Sequence, residues 1–213
     1  MSTRIIAISA PPGGGKSAVA AALAERLGAA FVEYDAYDKL TNLPPAEIAA
    51  WLKGGGDYAI VEVSELIADL TTLRDGGTIL DRRTGKELTA RALVILETPF
   101  GTAHPLMAPL IDSAIFLDTP PDLALGRKVR AFTEANLADP GPGGHKRFLT
   151  WLEAYLRNYE AITRRAIAIQ RDRVLPLADL VIDATDAPLE DIVEQAVTFL
   201  VQRAARKPAK ASK

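Results

Sequence analysis

The 213-residue chain contains no cysteine. Disulfides, thiolate nucleophiles and cysteine zinc sites are thereby excluded, and the composition suits a reducing cytoplasm. Histidine is almost as scarce. Only His104 and His145 occur, neither with a metal-ligand partner at helical spacing, so both are read as surface loop residues. The two tryptophans, Trp51 and Trp151, fall in helical patterns and are read as core or lid packing rather than base-stacking platforms. No apolar run reaches the length of a membrane span, and Met1-Ser2-Thr3-Arg4 leads into a short apolar stretch closed by Pro11 and Pro12, unlike a signal peptide. A cytoplasmic protein without a membrane partner is expected. An excess of charge of one sign is also missing. With 25 Lys and Arg against 27 Asp and Glu the net charge is -2, so nothing calls for a nucleic-acid partner. The basic residues at the end, 204–213, read as a solvated, disordered tail behind a single domain over 1–203.

What the chain does have is glycine in one telling place. Ser9-Ala10-Pro11-Pro12-Gly13-Gly14-Gly15-Lys16-Ser17 follows the strand-like run Arg4-Ile5-Ile6-Ala7-Ile8 and opens a helix-like run from Ala18 to Leu27. This is a phosphate-binding loop in its proper context. Backbone N–H groups can converge on phosphate oxygens only through positive φ angles and close approach, which side chains obstruct. Lys16 adds a mobile positive charge for the β- and γ-phosphates, Ser17 offers a hydroxyl to Mg²⁺, and the helix beginning at Ala18 points its positive end at the anion. The strict pattern asks for glycine where Ala10 stands, a mild departure. The nucleotide-binding set is therefore Pro12, Gly13, Gly14, Gly15, Lys16, Ser17 and Ala18.

Strands and helices alternate along the rest of the chain. A second strand at 30–34 delivers Asp35, and helical patterns follow near 45–53 and 62–74. A short strand at 78–80 precedes a hairpin turn, Asp81-Arg82-Arg83-Thr84-Gly85-Lys86. The unbroken run Ala92-Leu93-Val94-Ile95-Leu96 reads as a strand buried on both faces. Another strand, 114–117, ends at Asp118-Thr119-Pro120-Pro121-Asp122, where proline and aspartate favour a helix start. Residues 139–144, Asp-Pro-Gly-Pro-Gly-Gly, separate a basic helix carrying Arg127, Lys128 and Arg130 from a long helical pattern at about 147–171. They would serve as a hinge. A last strand at 180–182 and a helix around 188–203 complete the pattern. The fold class expected is α/β, a P-loop NTPase-type doubly wound parallel sheet flanked by helices, with a helical lid over roughly 122–171.

Ligands of such sheets gather at the carboxyl ends of the strands, which singles out Asp35, Glu97 and Asp118. Asp35, flanked by Tyr34 and Tyr37, could take a proton from an acceptor hydroxyl, hold a Mg²⁺-bound water, or cap the following turn. Glu97 could approach Mg²⁺ through water or bind backbone. Asp118 reads as a helix cap.

In this order of motifs the chain resembles the uridine kinase branch of P-loop small-molecule kinases. The resemblance rests on Gly15-Lys16-Ser17, on Tyr34-Asp35-Ala36-Tyr37 and on Val94-Ile95-Leu96-Glu97. It continues through Ile115-Phe116-Leu117-Asp118-Thr119, Arg127-Lys128-Val129-Arg130 and Ala178-Asp179-Leu180-Val181-Ile182. It implies Asp35 as catalytic base, Ser17 and Glu97 near the metal, and Arg127 and Arg130 in a lid over the phosphates, with Arg130 preferred to Lys128. Asp57 follows a glycine-rich turn where the family places a sugar-binding aspartate, and a plain turn explains it equally well. Asp38, Thr98 and the pair Arg82-Arg83 depart from the family pattern. The two arginines in place of base-holding aromatics favour an anionic acceptor, such as a phosphorylated sugar or a carboxylated metabolite. Tyr37, Asp57, Arg82 and Arg83 thus join Asp35 as the candidate acceptor set.

The expectation is an ATP- and Mg²⁺-dependent kinase that phosphorylates a hydroxyl of a small molecule. The alternatives are a nucleotide hydrolase, against which the lack of an Asn-Lys-x-Asp base-reading motif counts in its GTPase form, and an ATP sensor without phosphoryl transfer. A homo-oligomer stays open.

Overall fold

The structure, a computed structural model, describes residues 3–38 and 44–206. Five strands form the main sheet: β1 (Arg4–Ser9), β2 (Ala30–Glu33), β5 (Leu93–Glu97), β6 (Ser113–Asp118) and β7 (Leu180–Asp183). Their order is β2-β5-β1-β6-β7, with every neighbouring pair parallel. β3 (Thr78–Leu80) and β4 (Glu87–Thr89) make a separate antiparallel hairpin. The doubly wound sheet expected from the alternating pattern is therefore present.

Side chains that alternate along each strand build a core on both sides of the sheet. Ile5, Val94, Leu96 and Phe116 face α2 (Pro45–Lys53) and α3 (Ser64–Arg74), where Trp51, Leu66, Leu70 and Leu73 meet them. Ile6, Ile8, Ile95, Ile115 and Leu117 face α1 (Lys16–Leu27) and α7 (Leu189–Arg206). Burial of one such Leu or Ile contributes about 1.5–3 kcal/mol, so the unbroken apolar run of β5 secures its place beside the central strand β1. Val94, Ile95 and Leu96 are fully buried. α7 continues to Arg206, past the end expected at 203, and residues 207–213 of the basic tail lie outside the described residues.

The lid region is helical apart from 139–143. α4 (Pro121–Ala138) starts with Pro121 in its first turn, as the proline pair predicts. After 139–143, α5 (Gly144–Asn158) runs through a π-helical turn (Tyr159–Thr163) directly into α6 (Arg164–Arg173). A single regular helix over 147–171 is thus corrected to two helices joined by a π turn.

Two expectations about polar residues are also corrected. His104 is fully buried, not a surface residue. Its Nε2 lies 3.1 Å from the Val61 carbonyl and its Nδ1 accepts from the Leu106 N–H at 3.3 Å, so the neutral ring with the proton on Nε2 satisfies both contacts. His145 is exposed, beside Asn136. Asp118 does not cap α4, whose preceding residue is Pro120 with no side-chain cap. Its carboxylate instead holds Arg171 of α6 in a two-armed ion pair, tying the end of β6 to the lid side.

Candidate functional site

The loop between β1 and α1 owes its shape to two glycines with positive φ, Gly13 at 84° and Gly15 at 92°. A Cβ on Gly13 would lie 2.1 Å from the Ala124 carbonyl oxygen, because α4 crosses directly over it. Gly15 is different: nothing stands within 4 Å of where its Cβ would be. The loop is curled around open space. α1 begins there with no side-chain cap and no acidic residue in its first turn, so its positive end is left for an external anion. The loop is pinned from outside by Thr119, whose hydroxyl donates to the Gly14 carbonyl at 3.1 Å. The Gly14 N–H is turned inward to the Pro11 carbonyl at 2.8 Å. Of the seven residues expected to bind nucleotide, Gly14 alone does not line the open space; Pro12, Gly13, Gly15, Lys16, Ser17 and Ala18 do.

That space is one end of a cavity of about 880 Å³. Its wall also carries Asp35, which sits exposed in the turn after β2, and Asp38, which accepts from the Tyr34 hydroxyl at 3.1 Å. Burial first, then the neighbouring Asp38 and Asp35, push the Tyr34 hydroxyl far above its ordinary value, so it stays protonated and donates. Aromatic packing shapes the same wall. Tyr34 meets Phe100 edge-on at 4.8 Å, and Phe100 and Tyr58 lie 5.0 Å apart. α4 contributes Arg127 and Lys128 to the lining, the end of α5 contributes Asn158, and the π turn contributes Ile162 and Thr163.

Lys16 is paired with Glu97, which does not itself line the cavity. Lys16 Nζ lies 2.5 Å from Glu97 Oε1, and Glu97 is 1% exposed. Apart from this ion pair, neither carboxylate oxygen has a hydrogen-bond donor. Burial raises the Glu97 pKa and the Lys16 charge opposes that rise, with a net upward shift. A buried carboxylate with spare lone pairs, paired with the lysine that precedes Ser17, fits a hydrated divalent cation, which Mg²⁺ sites use in preference to an all-protein cage. Among the described residues no group of three or more His, Asp or Glu is arranged to hold a metal alone.

Several expected acceptor residues are elsewhere. Arg82 is not in the cavity lining: it pairs with Glu65 at 2.5 Å and Asp69 at 3.2 Å, and lies 4.9 Å above the Tyr37 ring. Arg83 pairs with Glu33 at 3.0 Å. The hairpin folds back over α3 and β2, where acidic side chains collect both arginines. Tyr37 is buried and donates to Asp69 at 2.8 Å. Asp57 accepts from the Ala59 N–H at 3.0 Å, the plain-turn alternative. In the lid the preference is reversed: Lys128 lines the cavity with its Cβ against Gly13, while Arg130 is exposed outside it. Arg127 lines the cavity but donates to the carbonyls of Ala184 (3.1 Å) and Thr185 (2.7 Å), so it braces the loop after β7 instead of reaching over the phosphate end.

One residue escaped the sequence reading altogether. Gln170 of α6 is 4% exposed and donates through Nε2 to the Ala10 carbonyl at 3.2 Å and to the Pro99 carbonyl at 2.8 Å. It ties the lid side to the phosphate loop and to the segment after Glu97. No local motif marks it, since its partners lie 160 and 71 residues away.

No protein-family model matches the chain, and no curated protein matches it. Among solved structures, it is similar to a shikimate kinase from Acinetobacter baumannii in complex with shikimate, at 19% identity over 94% of each chain with a TM-score of 0.49. It is also similar to a possible uridine kinase from Bacillus stearothermophilus, at 14% identity over 86% of this chain and 90% of that one, TM-score 0.49. A shikimate kinase from Aquifex aeolicus matches at 14% identity over 95% of this chain and 99% of that one, TM-score 0.48. These likenesses concern the course of the chain, and the chemistry rests on the site itself. No described helix is long and apolar enough to cross a membrane.

Proposed function

We propose that this chain is an ATP-dependent phosphotransferase that moves the γ-phosphoryl group to a hydroxyl of a small molecule. The observation that carries the proposal is that the phosphate loop with Lys16 and Ser17 and the exposed carboxylate of Asp35 line one cavity. A nucleotide switch needs the loop only. A carboxylate open to the same cavity gives the second substrate a place and a proton acceptor.

The residues divide the work as follows. The amides around Gly13 and Gly15 and the start of α1 bind the phosphate oxygens, with Lys16 adding charge at the β- and γ-positions. Ser17 and Glu97 would hold Mg²⁺, which would offset charge on those oxygens. Asp35 accepts the proton of the acceptor hydroxyl as its oxygen takes the phosphoryl group, and ADP departs. Lys128, carried on α4 above Gly13, supplies positive charge to the phosphoryl oxygens once the lid, roughly 122–171, excludes water. Arg127 holds the loop after β7 against α4 and so shapes the nucleotide end. A soluble cytoplasmic enzyme is the setting that such metabolites suit.

The test is ADP release by the purified protein with Mg²⁺-ATP and a panel of small alcohols, with Lys16→Ala as control. Acceptor-stimulated release that is lost in the control supports the reading. Steady release that no acceptor changes would make the protein a hydrolase, and tight ATP binding without release would make it a sensor.

A further inference from the structure

We propose that the turn of the β3–β4 hairpin is a positioning clamp for Asp35: Arg82, acting through Tyr37 and Asp69, and Arg83, acting through Glu33, fix where that carboxylate stands in the cavity. The proposal rests on the phosphotransferase reading above, which gives the carboxylate its work.

Asp35 stands on very little structure of its own. It lies in a single 3₁₀ turn, Tyr34–Tyr37, that follows β2 directly and has no side-chain cap at its start. So short a 3₁₀ segment has poor hydrogen-bond geometry and does not hold itself rigid. The Asp38 N–H reaches the Asp35 carbonyl only at 3.5 Å. The Asp35 side chain is exposed and lines the cavity, so its place is set by its neighbours in the chain.

Those neighbours are gripped on both sides of it. Two residues after Asp35, Tyr37 is buried and donates to Asp69 of α3 at 2.8 Å. Burial first and then Asp69 push its hydroxyl well above the ordinary value, so it keeps the proton it donates. The same Asp69 oxygen accepts from Arg82 Nε at 3.2 Å, while the Arg82 guanidinium lies 4.9 Å above the Tyr37 ring and donates to Glu65 at 2.5 Å. Two residues before Asp35, Glu33 is paired with Arg83 at 3.0 Å, and that guanidinium lies 5.9 Å from the Phe31 ring of β2. One arginine thus holds the chain ahead of the turn and the other holds its end.

The hairpin is built to keep these two side chains where they are. Asp81 accepts from the Arg83 N–H at 2.9 Å and from the Thr84 hydroxyl at 2.7 Å, and the Gly85 N–H closes the turn on the Asp81 carbonyl at 2.7 Å. Ile79 of β3 is buried in the core and anchors the hairpin. Neither arginine lines the cavity, and their side chains are 39% and 51% exposed. Ion pairs at such exposure add little to global stability, whereas displacing a reacting group by about 1 Å costs on the order of 10²-fold in rate. A planar guanidinium that lies over a ring and bonds two carboxylates has a fixed geometry, as positioning requires.

Because the chain has no cysteine, Asp35→Cys places a single nitroxide label on the turn of the full-length protein. Its electron paramagnetic resonance spectrum should be broad with the clamp intact. The added pair Arg82→Ala and Arg83→Ala should narrow it while the melting temperature stays near that of Asp35→Cys alone. In parallel, ADP release from Mg²⁺-ATP is followed with the alcohol of the panel above that stimulates it most. The arginine pair of substitutions should lower kcat about 10- to 10²-fold with KM for ATP unchanged. In an Asp35→Asn background the same pair should change kcat by less than about twofold, because clamp and carboxylate act as one unit. An unchanged spectrum, or a loss of kcat that is equal with and without the Asp35 carboxylate, overturns the proposal. A narrowed spectrum in a protein whose ADP release no alcohol stimulates would leave the clamp standing and remove the phosphotransferase reading instead.

Discussion

Lys16 Nζ and Glu97 Oε1 stand 2.5 Å apart with Glu97 sealed from solvent, so the loop lysine is held by the carboxylate at the end of β5 when no phosphate competes for it. Because burial raises the Glu97 pKa, the folded protein binds this proton more readily than the unfolded chain. Stability from this group is therefore greatest below the ordinary carboxylate value and is lost as pH rises from there through the raised folded value. Glu97→Gln removes the effect. Its unfolding free energy, relative to wild type, should improve as pH rises through that window in parallel denaturant titrations, and a difference independent of pH would refute the assignment.

Gly13 and Gly15 should respond differently to alanine. Gly15→Ala must hold a left-handed backbone, a cost of about 1–2 kcal/mol, but meets no neighbour. Gly13→Ala bears the same backbone cost and also a clash with the Ala124 carbonyl, so it should lose more stability. Both should lose nucleotide affinity, Gly15→Ala because its methyl enters the cradle. Denaturant midpoints and nucleotide titrations of the two variants separate these effects.

Asp35 is exposed and does not contribute to the core. Asp35→Asn should leave the melting temperature and ATP affinity near wild type while reducing kcat by about 10²- to 10⁴-fold, the range for loss of a positioned general base. Unchanged kcat would move the proton acceptor elsewhere.

In the lid, Lys128→Ala should lower kcat by about 10²-fold, the low end for removing one preorganised charge from developing phosphoryl charge. Arg130→Ala, outside the cavity, should leave turnover close to wild type. The opposite ranking in steady-state kinetics would restore Arg130 as the residue facing the phosphates.

The phosphate loop was legible because its chemistry is local: nine consecutive residues carry the glycines, the lysine and the serine. The sheet was legible because β1, β5 and β6 are short apolar runs with turn signals at their ends. What failed were inferences about partners distant in sequence. Arg82 and Arg83 looked available to an anion, but α3 places Glu65 and Asp69 beneath the hairpin, 17 and 13 residues before Arg82. Asp118 looked like a cap, but its partner Arg171 is 53 residues on. Lys128 and Arg130 differ by two helical positions, about 200° of rotation, and only the crossing of α4 over Gly13 decides which faces inward. Gln170 carries no signature of its own, and its importance appears only when the ends of β1 and β5 are brought together by the fold.

The two tryptophans stand in unlike surroundings. Trp51, 8% exposed, borders the cavity with its indole N–H donated to the Asp57 carbonyl at 2.8 Å, while Trp151, 42% exposed, is stacked between Phe148 and Tyr155 on α5. Indole emission shifts to longer wavelength with contact with water, so the molecule carries a blue fluorophore at one end of its cavity and a redder one in its lid. A phenylalanine in place of either leaves a single tryptophan, so the surroundings of the cavity and those of α5 can be read optically one at a time.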